Sequence, residues 1–74
     1  MDALEFRLRD EHVALCDLLK LSGIADSSGQ GKHLIATGEV TVDGQPESRK
    51  TAKIRANQTV QCLGQTVRVV ADQA

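Results

Sequence analysis

The sequence has 74 residues, a formal net charge of −1 and a single aromatic residue. A chain of this length predicts one small domain over residues 1–74, with an aliphatic core and little room for the deep substrate cavity of an enzyme. No apolar run approaches the roughly 20 residues of a membrane-crossing helix, and the charged start MDALEFRLRDEH lacks the apolar centre of a signal peptide. We therefore expect a cytoplasmic protein.

A strand and a helix are predicted at the start of the chain. The segment LEFRLR alternates apolar and charged residues, which is typical of a half-buried strand. Asp10 then offers an N-cap, and leucines at helical spacing follow it. These signals predict a first helix over about residues 11–21, with Gly23 as its C-terminal stop.

A second helix is predicted by a capping signal. Ser27 and Gln30 have the spacing of a capping box, so we expect a helix over about residues 28–37. Gly31 falls on the inner face of this helix, where it would let the first helix approach closely. Gly29 falls in the exposed first turn. It either leaves room for a phosphate group at the helix N-terminus or is simply tolerated where a helix frays.

Strands are predicted in the second half of the chain. The segment EVTVDGQP is typical of a strand that ends in a hairpin turn at Asp43-Gly44. The segment TVQCLGQTVRVV predicts a second hairpin with a type II′ turn at Gly64-Gln65. That register places four apolar residues on one face: Val60, Cys62, Val67 and Val69. The predicted class is α+β, with two N-terminal helices packed on a small, mostly antiparallel sheet of four to five short strands.

Positive charge is concentrated in one part of the chain. Residues 1–26 contain six acids and three bases, whereas residues 27–68 contain six bases and three acids. Four of these bases fall within residues 49–55, which contain no acid and are called the basic segment below. Lys32 and His33, on the outer side of the second helix, would extend this positive patch if the helix packs beside it. Ser27 and Ser28 add hydroxyl donors at the start of that helix.

Structured RNA is the predicted partner of this patch. The simplest interpretation is a solvated loop that keeps the protein soluble, but the lack of acids and the two arginines favour a phosphate-binding surface. No long basic helix is present for a DNA major groove, and the near absence of aromatic residues disfavours stacking on single-stranded bases. The alternative is a protein-interaction module that uses the same patch on an acidic partner.

Metal binding and catalysis have weaker support. His12, Cys16, His33 and Cys62 are the candidate zinc ligands, but no short pair such as Cys-x-x-Cys occurs, so no metal is expected. Asp17 and other acids near Cys16 disfavour a thiolate nucleophile, and no glycine-rich nucleotide loop is present. We therefore expect neither an enzyme nor a cofactor. The two cysteines are typical of small buried residues, and a disulfide between them stays open at this stage.

The segment DLLKLSGIADSSGQGKHLIATGEVTVDGQ resembles the RNA-binding domain first defined in small-subunit ribosomal protein S4, the αL motif. The shared pattern is a leucine-rich helix, a glycine, a serine-led helix ending in Leu-Ile, and a Gly-x-Val-x-Val-Asp-Gly hairpin. It covers roughly residues 13–62, and the compact form is similar to small, stand-alone bacterial members. Two positions depart from the family pattern: Ser28 stands where an arginine is frequent, and Gly31 where an alanine is frequent.

The resemblance implies an RNA surface formed by the second helix and the basic segment, the same surface that the charge pattern indicates. It also implies ribosomal or transfer RNA as the partner and a role connected with translation. We expect a monomer without a small-molecule substrate. The predicted RNA-contacting residues are Ser27, Ser28, Lys32, His33, Arg49, Lys50, Lys53 and Arg55.

Overall fold

The computed structural model describes residues 4–71. Within this range the elements are β1 (Leu4–Leu8), β2 (Val13–Ala14), α1 (Leu15–Leu21), α2 (Ser28–Ala36), β3 (Val40–Val42), β4 (Gln45–Pro46), β5 (Lys53–Ile54), β6 (Thr59–Cys62) and β7 (Gln65–Ala71). One sheet has the strand order β1-β7-β6-β3-β4, and β2 pairs with β5 in a second sheet. Every pair is antiparallel except β1 with β7. The predicted α+β class with two helices and a mostly antiparallel sheet is confirmed.

The core lies between the helices and one face of the five-stranded sheet. The face predicted from the alternation in β6 and β7 is confirmed, because its four residues are each at most 2% exposed: Val60, Cys62, Val67 and Val69. Leucines of α1 complete the same cluster of buried residues. Burial of each such side chain is worth about 1.5–3 kcal/mol, so this aliphatic cluster supplies most of the stability of a small fold.

The two hairpin turns have the same geometry. Asp43 and Gly44 both have positive φ, 52° and 83°, so the predicted turn is confirmed and is of type I′. The predicted turn at Gly64-Gln65 was wrong by one residue, because Leu63 and Gly64 are the turn residues, with φ of 52° and 77°. Type I′ geometry matches the right-handed twist of the flanking strands, and here it places even a leucine in the left-handed region.

The first helix begins later than predicted. α1 starts at Leu15, and Ala14 is its N-cap residue without a side-chain hydrogen bond. Asp10 is therefore not the cap, and the predicted start near residue 11 was wrong. The residues just before the helix form β2 instead, because they pair with β5. The predicted stop is confirmed, since Gly23 follows the helix with a φ of 86°.

The second helix agrees with the capping signal. Ser27 is the N-cap of α2, and its Oγ accepts a hydrogen bond of 3.1 Å from the backbone N–H of Gln30. The side-chain Oε1 of Gln30 accepts in return from the backbone N–H of Asp26 at 2.5 Å. The first bond satisfies one of the N–H groups that a helix start leaves free, and the second joins the residue before the cap to the first turn, so together they fix where α2 begins.

Helix α2 packs directly against the start of α1 at Gly31. A Cβ atom placed on Gly31 would lie 2.8 Å from the carbonyl oxygen of Cys16 and 3.4 Å from its Cα atom. The predicted close approach of the two helices is therefore confirmed, and only a glycine fits there without a shift of backbone. A Cβ atom on Gly29 would meet only the Oγ of Ser27, at 3.8 Å.

The two glycines of α2 should respond in opposite ways to alanine. Gly31→Ala forces the helices apart, and we expect the free energy of unfolding to fall by about 1–3 kcal/mol. Gly29→Ala removes backbone freedom from the unfolded chain without a clash, and we expect a gain of about 0.4–1 kcal/mol. Urea denaturation of both variants measures these changes. Equal effects at the two positions would contradict the packing described here.

Candidate nucleic-acid interface

The basic segment is attached to the first turn of α1 by its backbone. The N–H of Leu15 donates to the carbonyl of Ala52 at 2.9 Å, and the N–H of Cys16 donates to the carbonyl of Lys50 at 3.1 Å. A helix start normally obtains such partners from a capping side chain or from water. Here the basic segment supplies them, so α1 is capped and the backbone that carries the cations is fixed by the same two bonds.

The basic segment presents its charges through an alternating pattern. Ala52 and Ile54 are 5% and 1% exposed, whereas Lys53 and Arg55 are exposed. β5 also pairs with β2, with Ile54 opposite Val13. The alternation of apolar and basic residues from position 52 to 56 is a strand signal, although no strand was predicted there. It explains why these cations face solvent from an ordered backbone.

Helix α2 lies next to the basic segment, because both contact the backbone of Cys16. Gly31 approaches the Cys16 carbonyl, and the Lys50 carbonyl accepts from the Cys16 N–H. Lys32 follows Gly31 directly and is exposed, while Ser28 lies one helical turn earlier and is half-buried. The structure therefore brings the start of α2 and the first part of the basic segment to the same end of α1.

Two of the predicted RNA-contacting residues, His33 and Ser27, lie away from the contacts that join α2 to the basic segment. His33 is exposed and lies two residues beyond Gly31, which is about 200° around the helix from the face that packs on α1. Ser27 is exposed, and its Oγ is already engaged as the acceptor of the α2 cap. Neither side chain is positioned by the contacts that join α2 to the basic segment.

An acid outside the basic segment neutralises one of its cations. The Nε of Arg49 donates to Oε2 of Glu47 at 3.2 Å, its Nη2 donates to Oε1 at 3.2 Å, and its backbone N–H donates to Oε2 at 3.0 Å. This is the only side-chain ion pair within residues 4–71. The side chain of Arg49 stays 79% exposed, whereas that of Glu47 is 18% exposed. The basic segment itself contains no acid, as the sequence shows, but this acid two residues before it pairs with its first cation.

The contact changes the titration of both groups. The side-chain hydrogen bonds from Arg49, helped by its backbone N–H, hold the pKa of Glu47 below its ordinary value of 4.5. The hydrogen bond and charge of Glu47 raise the pKa of Arg49 in turn. Both shifts favour the charged forms, so the pair stays ionised over the neutral pH range.

Both cysteines lie in the core. Cys16 and Cys62 are both free and buried, so the question of a disulfide between them is answered. Burial raises the pKa of the Cys62 thiol, with a smaller effect of the charge on Glu39, which disfavours a thiolate.

Within residues 4–71 no group of three or more His, Cys, Asp or Glu side chains could hold a metal ion. The same range contains no helix of the length and apolar character needed to cross a membrane.

The family model described as the S4 domain matches residues 6–70. The chain belongs to the S4 domain family. Its relatives include YbcJ of Escherichia coli (strain K12) and YbcJ of Shigella flexneri, each 57% identical over 60 residues that cover 81% of this chain and 86% of the relative. The resemblance stated for the sequence is therefore confirmed.

Two solved structures share the fold. The solution structure of Escherichia coli YbcJ, described as revealing an αL motif involved in RNA-binding, has a TM-score of 0.75 and 50% identity and covers 96% of this chain and 91% of its own. The crystal structure of 30S ribosomal protein S4e from Thermoplasma acidophilum has a TM-score of 0.66 and 28% identity, covering 86% of this chain and 34% of its own. The chain thus carries an S4-like RNA-binding domain with the αL motif.

The Arg49–Glu47 pair should make a small, pH-dependent contribution to stability. A carboxyl group whose pKa is lowered by folding stabilises the folded state above its unfolded pKa, and that stabilisation is lost as pH falls through the folded pKa. Glu47→Gln should therefore unfold more easily than the parent at neutral pH, and the difference should vanish well below pH 4.5. Solvent screening of an exposed pair keeps the effect small.

Urea denaturation at a series of pH values measures this difference. The control is Glu47→Gln in an Arg49→Ala background, where the partner is absent and the pH-dependent part of the effect should disappear. A destabilisation that persists unchanged at acidic pH would mean that Glu47 acts through packing and not through its charge.

Proposed function

We propose that this protein is a non-catalytic binder of structured RNA, ribosomal or transfer RNA, which acts as a monomer in the cytoplasm in connection with translation. The observation that carries the proposal is the attachment of both α2 and the basic segment to the start of α1 through Cys16. Two structural relatives support it, since YbcJ of Escherichia coli has an αL motif involved in RNA-binding and S4e is a 30S ribosomal protein.

In this proposal the cations of the two elements engage phosphate groups, and the hydroxyls and the imidazole assist them. Lys53 and Arg55 are two residues apart on an extended backbone, so their Cα atoms are separated by about 7 Å and their long side chains can reach different phosphates. A backbone held by hydrogen bonds at Lys50 and Ala52 suits a partner with fixed phosphate positions. The proposed phosphate ligands are Lys32, Arg49, Lys50, Lys53 and Arg55, assisted by Ser27, Ser28 and His33.

Removing two cations from the basic segment tests this assignment directly. Replacing Arg49 and Lys50 together with alanine should weaken binding to different RNA sequences to a similar extent. It should also reduce the slope of log affinity against log salt by about one unit for each lost phosphate contact. Fluorescence anisotropy with a labelled RNA hairpin at several salt concentrations measures both effects.

The matched control removes two cations elsewhere. Lys20 is exposed in the last turn of α1, and Arg68 is exposed on β7. The variant Lys20→Ala/Arg68→Ala loses the same charge and should keep the salt slope of the parent. An unchanged slope in Arg49→Ala/Lys50→Ala would overturn the site assignment. Partners that remain in a pull-down after nuclease treatment would instead favour a protein-interaction module.

Glu47 should act as a competitor of RNA at Arg49. Its carboxylate occupies Nε and Nη2 of the guanidinium, the edge that forms a two-pronged contact with a phosphate. Glu47→Gln removes the competing charge, and we expect RNA affinity to rise severalfold at low salt. The gain should be much smaller when Arg49 is already alanine. A Glu47→Gln protein that binds RNA no better than the parent would show that Arg49 contributes little to the interface.

A further inference from the structure

A cleft between β1 and the end of α1 has no part in the surface described so far. It has a volume of about 410 Å³, which lies within the range of ligand-binding clefts. Its apolar walls come from Phe6, Leu8, Val13 and Leu21. Leu21 is 61% exposed although it is a large apolar residue, so it forms an open apolar wall on the surface.

The single aromatic residue of the chain lines this cleft. Phe6 is only half-buried and packs at the margin of the core, whose buried side chains are all aliphatic or cysteine. A flat aromatic face beside a cleft provides a surface for stacking another ring. The scarcity of aromatic residues disfavours stacking in general, but the one phenylalanine lies where a ring could stack on it.

Polar groups at the cleft add specific requirements for a ligand. The Nδ1 atom of His12 is buried and has no hydrogen-bond partner within residues 4–71. A buried polar atom of this kind normally has a partner, and a bound molecule can supply it. Arg7 and Arg9 also line the cleft and are exposed, against a single lining carboxylate at Asp10. A ligand that fits has a flat apolar body, a hydrogen-bonding edge and a negative charge.

The cleft lies beside the basic segment. Val13 lines the cleft and is also the β2 residue opposite Ile54 in β5. Ile54 stands between Lys53 and Arg55, both exposed and both proposed phosphate ligands. One backbone pairing thus joins the cleft to the strand that carries these two cations, which favours part of the same nucleic acid over an unrelated small anion.

We propose that this cleft binds one unpaired nucleotide of the RNA held by the basic segment, an inference that rests on the proposed function. The base lies against Phe6 and Leu21, its polar edge reaches Nδ1 of His12, and the adjoining phosphate contacts Arg7 or Arg9. The protein then recognises a helical stem that carries a bulged or looped-out nucleotide. Phosphate contacts alone would not separate such an RNA from a fully paired stem.

Two RNA hairpins with the same stem test the inference, one fully paired and one with a single bulged nucleotide. The parent protein should bind the bulged hairpin more tightly. Phe6→Leu keeps an apolar side chain but removes the ring, and it should lower affinity for the bulged hairpin about fivefold or more, since stacking on an aromatic ring is worth about 1–3 kcal/mol per base. Its affinity for the paired hairpin should not change.

A pair of exposed leucines provides a matched control. Leu21 and Leu63 are 61% and 56% exposed, but only Leu21 lines the cleft. Leu21→Ala should lose the preference for the bulged hairpin, and Leu63→Ala should keep it. Because both side chains are largely in solvent, both variants should fold, and thermal unfolding checks this. An imino-nitrogen signal of His12 that shifts only with the bulged hairpin would support the contact at Nδ1.

The outcomes separate this inference from the proposed function. If Phe6→Leu and Leu21→Ala bind both hairpins like the parent while Arg49→Ala/Lys50→Ala loses affinity for both, the cleft assignment is overturned and the phosphate surface stands. If Leu21→Ala lowers thermal stability without changing either affinity, the Leu21 side chain contributes to packing and not to RNA binding, and the inference is wrong. A parent protein that binds neither hairpin overturns both proposals.

Discussion

Two backbone hydrogen bonds join the start of α1 to the basic segment, and the organisation of the molecule depends on them. They run from Leu15 to Ala52 and from Cys16 to Lys50. Because they satisfy the first N–H groups of a seven-residue helix, α1 needs no capping side chain. Because they hold a segment rich in lysine and arginine, they also fix the part of the backbone from which the proposed phosphate ligands project.

The close contact at Gly31 has a related effect. The backbone of α2 lies against the carbonyl of Cys16, the residue whose N–H is bonded to the basic segment. One residue of α1 therefore contacts both elements of the proposed interface through its backbone. This arrangement suits a small protein, since a thin core leaves little rigid structure to support a binding surface. Direct backbone contacts between α1, α2 and the basic segment supply the missing rigidity.

Charge on this surface is not simply additive. Glu47 holds one edge of the Arg49 guanidinium, so the basic segment presents less free positive charge than its composition implies. An internal carboxylate that competes with phosphate weakens binding to any anionic polymer, and it favours partners that make several contacts at once. The cleft at Phe6 and His12 offers such an additional contact on the neighbouring surface.

The sequence by itself determined the features that depend on neighbouring residues. The cap of α2, the hairpin turn at Asp43-Gly44 and the buried face of β6 and β7 were predicted because each signal spans only a few positions. The motif of the S4 domain is also a local pattern, which is why family and fold class were accessible before the structure. The turn at Leu63 was misplaced because leucine has no intrinsic preference for positive φ, which the pairing of two strands imposes on it.

Only the tertiary structure decided where α1 begins, what holds the basic segment and which acid neutralises Arg49. The start of α1 was predicted wrongly because its first N–H groups bond to backbone carbonyls far along the chain. Every residue has such a carbonyl, so the sequence contains no signal for the ones that cap the helix. The position of Phe6 at a cleft beside a buried His12 nitrogen was equally hidden, since it arises where β1 passes the end of α1. Local propensities fix elements, but contacts between distant segments decide which side chains share a surface.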